Sequence, residues 1–478
     1  MHDVLECQGT WDVDDRFSLP ILNELVANAE VEHDTVESTN VYYDTPDHDL
    51  RAQGILLCRC DGDDVTGWQL KVPDSDGGTE LHWILSDQPP AELTALLAGV
   101  TLGKQIAGFA KVHTVRERYR IHPPNGRSLL VELDDDRVRA SVAERLLAWR
   151  EIEVDSDADG RRVAKRLAGR LRAAGARPSR HRSKLARISP PEPAPGGMAR
   201  GARALADYVN AQIDQVVAGD IGLRRGQDPI HDTRVATRRL RSTLRVFGKC
   251  FKPLDGVATN ELDGELKWFA GLLGEVRDCQ VQLRRFSEAL DDMPDELVLG
   301  PVRSRIRNDL QAAELPARTR VSEAMESGRY LALLTVLRSW RTQPPIEHDI
   351  ATKALVRRAR RARRKADRRL AAALVTEDDA MLHRARKAAK RARYAAELCR
   401  PLGKGAVRKI KYYKKIQSLL GDHQDTVVAT EALWRMTLAA GTTLGENGFS
   451  YGILYAREQQ LARQSRHDVR QFAEAVAR

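Results

Sequence analysis

Two stretches decide how this chain is built: IHDTRVATRRLRSTLRVF at 230–247 and LHRARKAAKRARYAAELC at 382–399. Laid over one another, His231, Arg234, Arg238, Arg239 and Arg241 fall on His383, Arg386, Lys390, Arg391 and Arg393, each pair 152 residues apart. A second pair, LLGEVRDCQV at 272–281 and LLGDHQDTVV at 419–428, recurs at an offset of 147. Two elements repeating in the same order predict two similar halves related by a pseudo-twofold axis.

The spacing predicts helices. His231, Arg234, Arg238, Arg241 and Arg245 follow i, i+3, i+7, i+10, i+14, one face of an α-helix, and His383, Arg386, Lys390 and Arg393 do the same. Leu240, Leu244 and Phe247 are left to face a core. Like charges along one stripe repel, so each stripe needs acidic neighbours or a bound anion. Asp278 and Asp425 are candidate neighbours, but one Asp per repeat cannot neutralise three or four cations. Lys387 and Arg391 extend the second stripe, and Arg408, Lys411 and Lys415 continue it at i, i+3, i+7. Two such stripes predict a long basic groove for a linear polyanion. Arginine meets phosphate through a planar fork of donors and lysine as a point charge.

The charge balance agrees. Residues 201–478 hold 51 basic and 34 acidic residues, a net of +17, while residues 1–200 hold 26 and 33, a net of −7. The stretch 351–415 alone carries 23 basic against 5 acidic residues. Low aromatic content, 5%, argues against stacking platforms for single-stranded nucleic acid, so nucleic acid is the disfavoured polyanion. No uncharged apolar run of ~18 residues is present, so no membrane partner is expected. Six cysteines in 478 residues do not make a disulfide framework and point to a reducing, cytoplasmic setting.

ISPPEPAPGGMAR (188–200) has four prolines and two glycines in thirteen residues and reads as a linker between domains at 1–187 and 201–478. After it, strand signals vanish; the helical part divides at about 201–345 and 346–478. Before it, period-two segments dominate: VYYDTPD (41–47), ILLCRC (55–60), GWQLKV (67–72), ELHWIL (80–85), VRERYRI (115–121), LLVELDDDRV (129–138) and WREIEV (149–154). LPILNELVANA (19–29) and ADGRRVAKRLAGRLRAAG (158–175) read as helices. Arg116, Arg118 and Arg120 share one strand face, Glu132 and Asp134 another, and Glu151 and Glu153 a third. Several charged inward faces in one small β domain predict a barrel with a polar lumen. The fold class is thus α+β multidomain: an antiparallel β tunnel followed by an all-α domain of two pseudo-symmetric bundles.

The helical part resembles the CHAD family, the conserved histidine α-helical domain, through HDTRVATRRLR with LLGEVRD and HRARKAAKRARY with LLGDHQD. The resemblance implies two four-helix bundles with inorganic polyphosphate in a basic central groove, the stripe residues being its ligands. The N-terminal part resembles the CYTH domain of the triphosphate tunnel metalloenzymes, through YYDTPDHDLRAQGILL (42–57), GWQLKVP (67–73), TVRERYRI (114–121), LLVELDDDRV (129–138), REIEVD (150–155) and PSRHRSKLARI (178–188). That implies a closed tunnel in which carboxylates hold Mg²⁺ or Mn²⁺ (Glu6, Glu132, Asp134, Glu151 and Glu153) and Lys71, Arg116 and Arg118 contact a triphosphate.

The chain departs from this pattern where charge matters. The family's E-x-E-x-K falls on Glu6-Cys7-Gln8-Gly9-Thr10, and its L-R-x-R on Leu57-Cys58-Arg59-Cys60. Phosphoryl transfer relies on positioning and charge neutralisation, so these losses predict poor hydrolysis. Cys58 and Cys60 are expected to be buried thiols. The leading expectation is a cytoplasmic polyphosphate binder, associated with polyphosphate granules, that carries a degenerate tunnel. The rival is a Mg²⁺-dependent inorganic triphosphatase.

Overall fold

The computed structural model describes the chain except residues 1–5, 23–24, 27–28, 63–65, 74–78, 125–127, 182, 189–196, 253–258, 377, 444 and 478, with only the backbone at 6–8 and 475–477. Most of the 188–200 linker therefore lies outside the described residues, as do the side chains of Glu6, Cys7 and Gln8. The chain divides into two compact units, Met1–Ala194 and Pro195–Arg478.

The first unit is a nine-stranded antiparallel sheet: β1 (Glu6–Val13), β2 (Glu30–Asp44), β3 (Leu56–Asp61), β4 (Gly67–Val72), β5 (Thr79–Trp83), β6 (Ala107–His122), β7 (Val131–Val142), β8 (Arg145–Ser156) and β9 (Arg177–Pro178). Their spatial order is β5-β4-β3-β2-β6-β7-β8-β1-β9. Among the described residues no pairing joins β5 to β9. Three short helical turns, α1 (Asp49–Ala52), α2 (Ala91–Leu96) and α3 (Ala98–Thr101), sit in its connections.

Alternation along the strands separates two faces. Ile121, Leu133, Ile152 and Val154 bury against Val163, Leu167 and Leu171 of α4 (Arg161–Ala173), the amphipathic helix expected at 158–175. The opposite face carries the charged residues and, farther along, Tyr42, Cys58, Cys60, Val112, Val138 and Ala140. Ile188 and Leu185 of α5 (Lys184–Ile188) join that cluster, so strands from β3 to β8 share one helix as their filling. The helix expected at 19–29 does not form over its described residues. Isolated turns, Leu25 N–H to the Leu22 carbonyl and Ala29 N–H to that of Val26, instead set Leu22 and Leu25 in the α4-side core. Burial of two leucines outweighs the weak helical propensity of so short a stretch.

The second unit is helical: α6 (Arg200–Arg224), α7 (Ile230–Phe247), α8 (Thr259–Asp291), α9 (Val302–Glu326), α10 (Gly328–Thr342), α11 (Thr352–Thr376), α12 (Asp379–Leu398), α13 (Ala406–Ala440) and α14 (Phe449–Ala477). Apart from α10, the lengths repeat: 25, 18, 33 and 25 residues for α6–α9, then 25, 20, 35 and 29 for α11–α14. The two halves meet where α7 packs on α12. Leu240, Leu244 and Phe247 are buried on the far side of α7, leaving its basic stripe toward α12.

Candidate functional site: a basic groove between two helical halves

The α7 and α12 stripes converge. Arg234 lies against α8, where a Cβ on Gly274 would stand 3.1 Å from its Nη2; Arg386 lies against α13, where a Cβ on Gly421 would stand 3.3 Å from its Nη2. The glycine of each LLG motif thus seats one arginine. Asp278 stands 3.7 Å from Arg234 and Asp425 3.8 Å from Arg386. Both arginines keep a buried Nε without a hydrogen-bond partner.

One turn on, Arg238 and Lys390 are half-buried and make no ion pair or hydrogen bond among the described residues. Burial and Arg234 push Arg238 down to about 10. Burial, with Arg386, Arg238 and Arg234 around it, pushes Lys390 down to about 6. Half-buried groups that destabilise one another's charge this strongly mark a candidate anion site.

The rest of the stripe is treated differently. Arg241 and Arg245 both reach Asp263 of α8, at 3.1 and 2.7 Å. Arg239 and Arg393 share Glu397, at 3.2 and 2.8 Å, and Arg393 also donates to Gln417. The sequence reading that acids could not satisfy the stripe therefore holds at its centre and fails at its ends: Asp263 comes from another helix, and Glu397, at i+4 from Arg393, is a helical pair that the reading passed over. Arg391 faces Arg245, Arg369 and Arg241, and Lys387 faces Arg391 and Arg238. Arg408, Lys411 and Lys415 are exposed along the start of α13.

Both histidines are held toward the neutral form: burial and Arg277 lower His231, and burial and Lys387 lower His383, which bonds to Gln424. A cavity of about 260 Å³ opens beside His383, lined also by Asp379, His423 and Gln424; it contains none of the four central cations.

In the first unit the sequence-derived site is internally paired. Arg116 grips Asp136 through Nε and Nη2 at 2.8 and 2.9 Å and reaches Asp134 at 2.6 Å. Arg118 meets Asp134 at 3.2 Å, and Arg120 meets Glu132 at 2.9 Å. Lys184 of α5 sits among Asp136, Glu151 and Glu153 at 2.7, 3.1 and 3.3 Å, and Arg187 meets Asp12. Lys71 pairs with Glu80 across β4 and β5 at 3.1 Å.

These contacts bear on two expectations. Arg116 and Arg118, expected to contact phosphate, are ion-paired with carboxylates. Glu132, Asp134, Glu151 and Glu153, expected to hold a metal, are ion-paired with cations, and no cluster able to hold a metal ion occurs among the described residues. Mg²⁺ needs near-octahedral oxygen ligation, which this interleaved arrangement does not fit. The reading missed Asp136 and Lys184, though both lie within quoted stretches. Cys58 and Cys60 are buried thiols, in no disulfide, with sulfurs 3.0 Å apart, both near Oε1 of the Gln69 side-chain amide.

The comparisons with known proteins divide the chain the same way. A CYTH domain model matches residues 17–171 and a CHAD domain model matches 207–434. CYTH domains as a family are metal-dependent. Uncharacterized protein Rv2226 of Mycobacterium tuberculosis is 33% identical over 497 aligned residues, spanning 97% of this chain and 95% of its own. Among solved structures, PptA from Streptomyces chartreusis aligns at 22% identity and TM-score 0.49, covering 57% of this chain and 99% of its own. The CHAD domain from the plant Ricinus communis aligns at 24% identity and TM-score 0.44, over 57% and 93%. Among the described residues no helix is long and apolar enough to cross a membrane. With both domain models matched in order and a full-length relative above 30% identity, the chain belongs to the CYTH–CHAD two-domain family.

Proposed function

We propose that this protein binds inorganic polyphosphate in the groove between α7 and α12, and that its N-terminal sheet is not an efficient triphosphatase. The observation that carries the reading is the group of Arg234, Arg238, Arg386 and Lys390: four converging basic residues, two of them without partners among the described residues and two with orphaned Nε atoms. Unpaired buried charges are costly, and a folded chain keeps them where a ligand supplies the counter-charge. A linear phosphate chain supplies closely spaced oxyanions along the whole stripe, from Arg408, Lys411 and Lys415 past the central four. Polyphosphate binding needs no Mg²⁺ or Mn²⁺. Such a ligand would bring the protein to cytoplasmic polyphosphate granules. The test is competition of long-chain polyphosphate against duplex DNA for the full chain at matched salt, since any polyanion affinity falls with ionic strength. Polyphosphate should win; equal competition would refute the reading.

A further inference from the structure

We infer that Lys390 stands in the ligand-free groove as a neutral amine and takes up a proton when the polyanion enters, so that binding and protonation are linked. The inference rests on the polyanion reading above and adds its regulation. Lys390 is faced by Arg386 on its own helix, Arg234 and Arg238 from α7, and Asp425 from α13; His383 lies two turns back on α12, and Asp278 of α8 stands behind Arg234. The two carboxylates are 3.7 and 3.8 Å from Arg234 and Arg386, and neither pairs with Lys390. Four full positive charges would leave this crowded spot with an excess of two.

Of the four, three are guanidinium groups, which do not shed a proton in proteins. The ammonium of Lys390 is the one that can, and losing its proton relieves repulsion from three neighbours at once. The two halves differ at this position: α7 has Arg238 where α12 has Lys390. Phosphate oxygens entering the groove reverse the balance and favour the ammonium. The sign follows from linkage. Burial and the arginines push Lys390 down to about 6 without ligand, and the ligand pushes it back up. Below pH 6 the amine is charged in both states and affinity is flat. Above it, affinity falls with rising pH, by up to about tenfold per unit for one linked proton.

The experiment is calorimetric titration of the full chain with long-chain polyphosphate at pH 7.5 in Tris and in HEPES at matched ionic strength. Long chains keep the titrating chain ends few. The dependence of heat on buffer ionisation should give close to one proton taken up by wild type and close to none by Lys390→Arg and Lys390→Met. His231→Gln with His383→Gln should keep the uptake. Uptake that survives in both lysine variants, or that vanishes in the histidine variant, overturns the inference. A second readout needs no ligand: the pH dependence of Lys390 acylation, followed by mass spectrometry of its peptide. A midpoint near 6 supports the neutral amine, whereas one near 10 overturns it whatever the groove binds. Absence of binding heat at both pH 6 and pH 7.5 would instead overturn the polyanion reading, and the linkage with it.

Discussion

Arg238 and Lys390 hold the same place in the two halves of the helical unit, and among the described residues neither side chain has an ion-pair or hydrogen-bond partner. A half-buried guanidinium and a half-buried lysine left open at one crossing of helices cost the fold stability. Arg238→Ala with Lys390→Ala should therefore leave the melting temperature unchanged or raise it, because repulsion is relieved. The same variant should bind polyphosphate more weakly, each lost charge-assisted contact being worth about 1.5–3 kcal/mol, or roughly ten- to hundredfold. Thermal melts alongside polyphosphate titration separate the readings. A lower melting temperature with intact affinity would mean that the stripes serve the fold alone.

Gly274 and Gly421 offer a test that touches no charge. An added methyl would meet Arg234 at 3.1 Å or Arg386 at 3.3 Å, and the guanidinium would have to give way. Alanine is the better helix former by about 0.8–1 kcal/mol. Gly274→Ala with Gly421→Ala should thus hold or raise helicity while weakening polyphosphate binding. Unchanged affinity would show that the arginines' seats do not matter to the ligand.

Asp263 should behave in the opposite sense. It receives both Arg241 and Arg245, so its substitution by Asn leaves two guanidinium groups without their carboxylate. The expected stability loss is about 1 kcal/mol, the upper end for a partly exposed pair. The freed cations should tighten polyphosphate binding severalfold, most clearly at low salt. Calorimetry at two ionic strengths measures both effects.

The repeat was legible because helical periodicity and a fixed offset are properties of sequence alone. The division into a sheet unit and a helical unit was legible for the same reason, and so were most strands, which alternate cleanly. What the sequence hid were the partners of the charges. Asp263 is 22 residues from Arg241, and Glu397 is 158 from Arg239; the pairs exist only through packing between helices. In the sheet unit, Asp136 reads as one more acid in a run of three. Its role comes from the register that sets it opposite Arg116 and Glu151. The stretch at 19–29 misled because its leucines suit a helix and a sheet core equally well.

Asp136 and Lys184 predict an acid-sensitive first unit. Burial alone would raise the Asp136 carboxyl, but Arg116 and Lys184 hold it below the ordinary carboxylate range. Burial alone would lower Lys184, but Asp136, Glu153 and Glu151 hold it well above the ordinary lysine value. A depressed carboxyl contributes stability above its unfolded pKa of about 3.9 and loses it as pH falls through the folded value. The raised lysine contributes fully across the acid and neutral range. Asp136→Asn should therefore melt below wild type at pH 7, and the gap should begin to close below about pH 4. A gap that stays constant down to pH 3 would deny the pair its role.

The pairing of Lys184 also bears on hydrolysis. Its ammonium lies within 3.3 Å of three carboxylates, where a divalent cation would otherwise need oxygen ligands. Millimolar Mg²⁺ should accordingly leave the melting temperature of wild type unchanged. Phosphate release from tripolyphosphate with Mg²⁺ or Mn²⁺ should fall below the ordinary enzyme range of about 1–10³ s⁻¹. A rate inside that range would restore the triphosphatase reading. Putting back the missing charges, Gln8→Glu, Thr10→Lys, Cys58→Arg and Cys60→Arg, should not rescue turnover. Cys58 and Cys60 pack with Tyr42 and Ile188, so arginines there would be buried among apolar groups at a cost of several kcal/mol. The expected result is a lower melting temperature and no gain in phosphate release. A faster, still folded variant would show instead that α5 yields and that the sheet can be returned to catalysis.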